Sequence, residues 1–127
     1  MRKIEHDNHC KQIAETLAKY VDGVMAKCPN CGEVFENAET CPYCEEELEE
    51  QGIIDYFEDA LDIEYRIGSD KGYRSCKILV AFGGPSIYID TQSGKVELYW
   101  WNEEGEAWID DKVVNAIDEF MEELYNC

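Results

Sequence analysis

Positive charge is what this sequence most lacks. Eleven lysines and arginines stand against 29 aspartates and glutamates in 127 residues, for a net charge of −18, and none of the eleven lies between residues 28 and 65. A surface of that sign repels nucleic acid phosphates and anionic membranes, so direct binding to either is not expected. Histidine is nearly absent as well. His6 and His9 are the only two, and their place near the N-terminus makes a Ser-His-Asp or Cys-His pair hard to build. No phosphate-cradling glycine motif occurs, and Gly83-Gly84-Pro85 reads as a turn. Carboxylate pairs such as Asp55 with Asp59, or Asp110 with Asp111, are plentiful, but 29 acids produce such pairs by chance. A magnesium-dependent nuclease would also need basic residues to hold phosphate. An enzyme is therefore not expected. No apolar run of about 18 residues exists to span a membrane, and MRKIEHDNHCKQ has no apolar stretch behind its basic residues, so neither an anchor nor a secretory signal is expected.

Cysteine, by contrast, is abundant. Of seven, Cys28, Cys31, Cys41 and Cys44 form two Cys-x-x-Cys pairs within CPNCGEVFENAETCPYC, and Cys10, Cys76 and Cys127 are scattered. Two residues between paired thiolates let both sulfurs of a tight turn point at one ion, and Pro29, Asn30, Gly32 and Pro42 suit such turns. Two facing turns make a tetrahedral four-sulfur site, the usual surroundings of a structural zinc with Zn–S near roughly 2.3 Å. A redox dithiol or a disulfide staple would use one pair and leave the other superfluous. Free thiols in this number suit a reducing cytoplasm.

The segment resembles the short zinc-ribbon module of many bacterial proteins, in which CPxCG, a polar linker and a second CPxCG follow one another. Glu45 stands where that pattern has its second glycine, which predicts a different closure of the second knuckle. The resemblance implies one zinc, held by Cys28, Cys31, Cys41 and Cys44. A site of four sulfurs has no open position for water or substrate, so the ion is structural.

The remaining sequence predicts an α+β fold: an antiparallel sheet of about four strands packed with helices, with the ribbon inserted after the first helix. Residues 1–27 form an N-terminal helical segment, 28–51 the ribbon insertion and 52–127 the α+β domain. Ile13, Leu17, Tyr20, Val21, Val24 and Met25 recur at helical spacing over 7–26, with Asp7 or Asn8 as cap. His6, His9 and Cys10 cluster there; with no fourth ligand in view they read as an ordinary helix start and not as a second metal site. Val34 and Phe35 suggest a short strand beside the metal. The glutamate run at 45–50 favours helix, and Ile53, Ile54, Phe57 and Leu61 share one helical face. From residue 63 the period becomes two, giving strands over 63–67, 74–82, 86–90 and 95–101, the last two joined as a hairpin through TQSG. Ile87 and Ile89 face the core. Val96, Leu98 and Trp100 make one side of the partner strand. Tyr88, Tyr99, Trp101 and Trp108 form either an exposed face or a layer covered by helices. Residues 102–110 read as an acidic turn with a short edge strand. Asp110 caps a final helix over 111–125 whose Val113, Val114, Ile117, Phe120, Met121 and Leu124 point inward.

Charge is not spread evenly. Residues 28–51 carry eight acids and no base, and residues 102–127 carry nine acids against one base. Such a surface attracts a basic partner, with fast association and strong salt dependence. The contacts would fall on Glu45, Glu46, Glu47, Glu49 and Glu50, on Asp118, Glu119, Glu122 and Glu123, or on both sets.

CKILVAFGGPSIYIDTQSGKVELYWW followed by an acidic amphipathic helix is similar to proteins of phages and mobile elements of Gram-positive bacteria. In character the whole chain resembles the small acidic anti-CRISPR proteins that act on type II RNA-guided nucleases. That resemblance implies a non-enzymatic inhibitor in the bacterial cytoplasm, bound to the basic nuclease and blocking the loading or cutting of nucleic acid. Two further classes fit the residues: an immunity protein or antitoxin against a basic toxin, and a zinc-ribbon adaptor in a transcription or translation complex.

Overall fold

The computed structural model describes residues 2–126. Helix α1 (Arg2–Asp22) runs into a small sheet of β1 (Met25–Lys27), β2 (Val34–Glu36) and β3 (Glu49–Glu50), in the order β2-β1-β3. One helical turn, α2 (Ile53–Tyr56), continues as a 3-10 turn over Phe57–Asp59. A five-stranded antiparallel sheet follows: β4 (Asp62–Ile67), β5 (Tyr73–Ala81), β6 (Ser86–Asp90), β7 (Lys95–Trp100) and β8 (Glu103–Trp108), each beside its neighbour in the chain. Helix α3 (Asp111–Tyr125) ends the described chain. The class is α+β, as the change of period implies. Among the described residues no helix is long and apolar enough to cross a membrane.

Period-two alternation decides which face of the large sheet is buried. Ile63 lies opposite Ile78, Ile78 opposite Ile89, Ile89 opposite Val96, and Ile87 opposite Leu98. Ile78, Ile89, Val96 and Leu98 are fully buried and Ile87 nearly so, beneath Cys10 and Leu17 of α1 and Val113, Ile117 and Met121 of α3. Each large aliphatic side chain so buried contributes on the order of 1.5–3 kcal/mol. The Asp110 carboxylate accepts the Lys112 N–H at 3.4 Å, the expected cap of α3. In the 90–95 hairpin, Asp90 accepts from the Gln92 and Ser93 N–H groups, and Gly94 supplies the left-handed backbone (φ 72°). The opposite face of the sheet holds ion pairs and aromatics. Arg66 grips Asp90 with two hydrogen bonds at 2.7 and 2.9 Å, and Lys77 and Lys95 lie over the Tyr88 and Trp108 rings at 4.6 and 4.5 Å. Tyr99, Trp101 and Trp108 are exposed, so no helix covers these aromatics.

Several expectations are corrected by long-range contacts. The 103–108 segment is a full fifth strand: Gly105 and Ala107 pair with Leu98 and Val96. Helix α1 starts at Arg2, so Asp7 and Asn8 cap nothing. Asp7 instead accepts the Glu106 N–H at 2.8 Å and satisfies a donor of β8. The helix stops at Asp22, where Gly23 takes φ 75°, and Met25 enters β1. The glutamate run is not helical, because Glu49 and Glu50 pair with Lys27 and Ala26, and Glu47 bridges Thr40. In the 53–61 segment only Phe57 is buried. Ile54 and Leu61 are 55% and 59% exposed, since the helix lasts a single turn and presents no continuous face. At the other end, Leu124 is 41% exposed and Trp100 38%.

Candidate metal centre

Strands β1 and β2 are antiparallel, with Lys27 opposite Val34, and their connection holds the first Cys-x-x-Cys turn. The second turn lies between the Thr40–Glu47 bridge partners. The two turns are built alike. Cys28 N–H reaches Glu33 C=O and Gly32 N–H reaches Cys28 C=O; Cys41 N–H reaches Glu46 C=O and Glu45 N–H reaches Cys41 C=O, all at 2.9 Å. In each turn the fourth residue donates its N–H to the first sulfur, Cys31 to Cys28 and Cys44 to Cys41, at 3.4 Å. Both turns then require a left-handed residue, and Gly32 (φ 79°) and Glu45 (φ 59°) occupy those places. The second knuckle therefore closes as the first does, despite the missing glycine. A left-handed backbone costs a residue with a Cβ roughly 1–2 kcal/mol, and glycine's extra chain entropy takes back about 0.5–1 kcal/mol. Glu45→Gly should accordingly raise the thermal stability of the metal-loaded ribbon by up to about 1.5 kcal/mol, while Gly32→Glu should lower it. Parallel melting curves of the two variants check both signs.

All four sulfurs lie within 4.8 Å of one another, and Cys31 and Cys41 Sγ are 3.7 Å apart. A tetrahedral ion with bonds near 2.3 Å separates its sulfurs by about 3.8 Å, so the spacing fits a metal ion. Cys28 and Cys41 are buried, Cys44 half-buried and Cys31 exposed. Asn30 adds a tie that spacing alone did not reveal: its side-chain amide donates to Cys44 Sγ at 3.3 Å, from one knuckle to the other. Electrostatics also favour a cation. The Cys31 N–H stabilises the Cys28 thiolate and holds that thiol at about 7. At Cys31 the Glu33 backbone favours the thiolate, but desolvation and the three neighbouring sulfurs outweigh it and push the thiol up to about 12. Four mutually crowded thiolates need a positive ion, and binding one displaces protons, so affinity rises with pH. Among the described residues these four form the only such cluster. His6, His9 and Cys10 do not assemble one. His6 Nε2 meets Glu103 Oε1 at 2.9 Å, and burial pushes the Cys10 thiol up to about 11.

The acidic residues separate into two places. Glu45, Glu46, Glu47, Glu49 and Glu50 are exposed on the ribbon, and Glu119, Glu122 and Glu123 are exposed on α3. Among the described residues no lysine or arginine forms an ion pair with any of these eight, although Lys27 lies opposite Glu49 on β1; the ribbon's ion pair is Glu36 with Lys19, at 2.9 Å. Asp118 differs, being half-buried and accepting the Tyr73 hydroxyl at 2.6 Å. No protein-family model matches the chain, and no curated protein or solved structure shows significant similarity to it.

Proposed function

We propose that the chain is a zinc-stapled, non-enzymatic inhibitor that binds a basic nucleic-acid-binding protein through its acidic surface. The observation that carries this reading is the run of exposed ribbon glutamates that form no ion pair among the described residues, presented beside the four-cysteine cluster. Charges compensated within the molecule would be spent on its own stability, whereas these are left for a partner. A rigid mount also lowers the ordering cost of binding. The partner class we favour is a type II RNA-guided nuclease, to which the resemblance with small acidic anti-CRISPR proteins points. Such nucleases hold their duplex in positively charged channels, where an acidic protein competes with phosphates. Zinc suits four thiolates in a closed tetrahedron and leaves no position for catalysis.

The experiment is capture of a type II nuclease by the tagged, metal-loaded chain, washed at low and then high salt. Retention followed by loss is expected. Reversal of Glu46, Glu47, Glu49 and Glu50 to lysine should slow association by about tenfold to a thousandfold. Reversal of Glu119, Glu122 and Glu123 provides the matching test of α3. Unchanged affinity in both reversed variants would sink the electrostatic mechanism, and recovery of a toxin in place of the nuclease would make the chain an immunity protein.

A further inference from the structure

Large apolar side chains gather in a groove of about 400 Å³ between α2, β4 and α3. Phe57 and Met121 form its buried floor, while Ile54 and Leu124 stand at its lip, 55% and 41% exposed. Ile63 and Phe120 complete the apolar wall. The rim has one sign of charge. Asp55 and Glu58 line it and no lysine or arginine does. Glu119 and Glu123, both exposed, precede Phe120 and Leu124 on α3. Asp55 is engaged by the Gly52 N–H at 2.8 Å; Glu58 has no cationic partner among the described residues.

The rim decides what the floor can receive. A second copy of this chain carries −18 and would bring acids against acids, and an anionic lipid surface is repelled for the same reason. The sheet's aromatic face is a weaker candidate, because Lys77, Lys95 and Arg66 already neutralise its acids across strands. An apolar slot edged by uncompensated carboxylates matches a basic amphipathic segment, whose apolar residues fill the slot while its cations meet the rim. We propose that the groove anchors such a segment of the partner protein, with one large apolar side chain seated between Ile54 and Leu124 and lysines or arginines reaching Glu58 and Glu123. The inference rests on the reading of the chain as a ligand for a basic protein, and adds to that reading a place where affinity is apolar and resistant to salt.

Two synthetic peptides of equal positive charge test it against the full metal-loaded chain. One carries leucine and lysine at helical spacing; in the other every leucine is serine. The leucine peptide should bind more tightly by about tenfold to a hundredfold, the equivalent of one buried aliphatic side chain. It should also shift the methyl resonance of Met121, one of only three methionines in the sequence. Ile54→Asp and Leu124→Asp alter exposed positions, so the core is spared, and each should erase the difference between peptides. Reversal of the ribbon glutamates should not. Equal binding of the two peptides, or retention of the preference by both aspartate variants, overturns the groove and leaves acidic docking intact. Binding of neither peptide overturns the groove and leaves the inhibitor reading to stand on nuclease capture alone.

Discussion

Cys28→Ser or Cys41→Ser, or chelation of the native protein, should unfold residues 25–50 and leave the five-stranded sheet folded. The ribbon has almost no apolar interior: between β1 and β3 the buried side chains are Cys28 and Cys41 themselves, while Val34 and Tyr43 are 40% and 78% exposed. Its three strands span three, three and two residues, too few to be stable without another support. A structural zinc in such a setting contributes on the order of 10–16 kcal/mol apparent, far more than any other interaction in the segment. The main core lies outside it, since no residue from 22 to 52 takes part in the buried cluster. Metal analysis should return one zinc per chain. On chelation, hydrogen exchange should accelerate at the β1–β2 amides while Ile78, Ile89 and Val96 keep their protection. Protein isolated without chelator and free of metal, with a protected ribbon, would defeat the staple; loss of protection throughout would show that the sheet depends on the ribbon.

The second large effect is expected at Gly105. A Cβ built there would lie 2.5 Å from His6 Cβ, 2.7 Å from the His6 carbonyl carbon and 2.9 Å from the Asp7 nitrogen. Two of the three are backbone atoms, so no side-chain rotation relieves the clash and α1 must move off β8. That movement would disturb the Asp7–Glu106 and His6–Glu103 hydrogen bonds together. Overpacking of this kind costs about 1–3 kcal/mol, and with the two bonds weakened Gly105→Ala should lie at or above the top of that range. The midpoint of thermal unfolding should fall by on the order of 10 °C. Gly52→Ala, where a Cβ meets nothing within 4 Å, is the control and should change little. Equal melting of the two variants would mean that α1 does not pack on β8 as closely as described.

These two sites also mark what the sequence did and did not disclose. The four clustered cysteines are legible because a cysteine turn is a local device: spacing, Pro29, Gly32 and Pro42 define it without help from the rest of the chain. Helix α3 and strands β4 to β7 were legible for a similar reason, since apolar period and turn residues agree over each segment. Where local preference and long-range pairing disagreed, pairing prevailed. Glu49 and Glu50 favour helix by themselves but are drawn into β3 by Lys27 and Ala26. Asp7 has the chemistry of a helix cap, yet its partner lies 99 residues away on Glu106. Strand β8 was faint because its inward positions, Gly105 and Ala107, are small so that a helix can approach, and smallness leaves no hydrophobic alternation to read. The groove is not legible in the sequence, because helical spacing alone places Ile54 and Leu124 on inward faces. Apolar residues left outside a core are visible only once the core is known.

The seating of α1 on β8 also sets an order of events at the ribosome. Synthesis from the N-terminal side offers α1 before the ribbon and the ribbon before the large sheet. The ribbon closes on its own residues, so it is complete once residue 50 has emerged. The meander adds one hairpin at a time, each strand beside its predecessor, so the contacts it needs are short in sequence. The surface that receives His6 and Asp7 does not exist until residues 103–106 have been made. Helix α1 must wait for about a hundred further residues before this face can be covered, and its docking ties together segments that lie 97 and 99 positions apart.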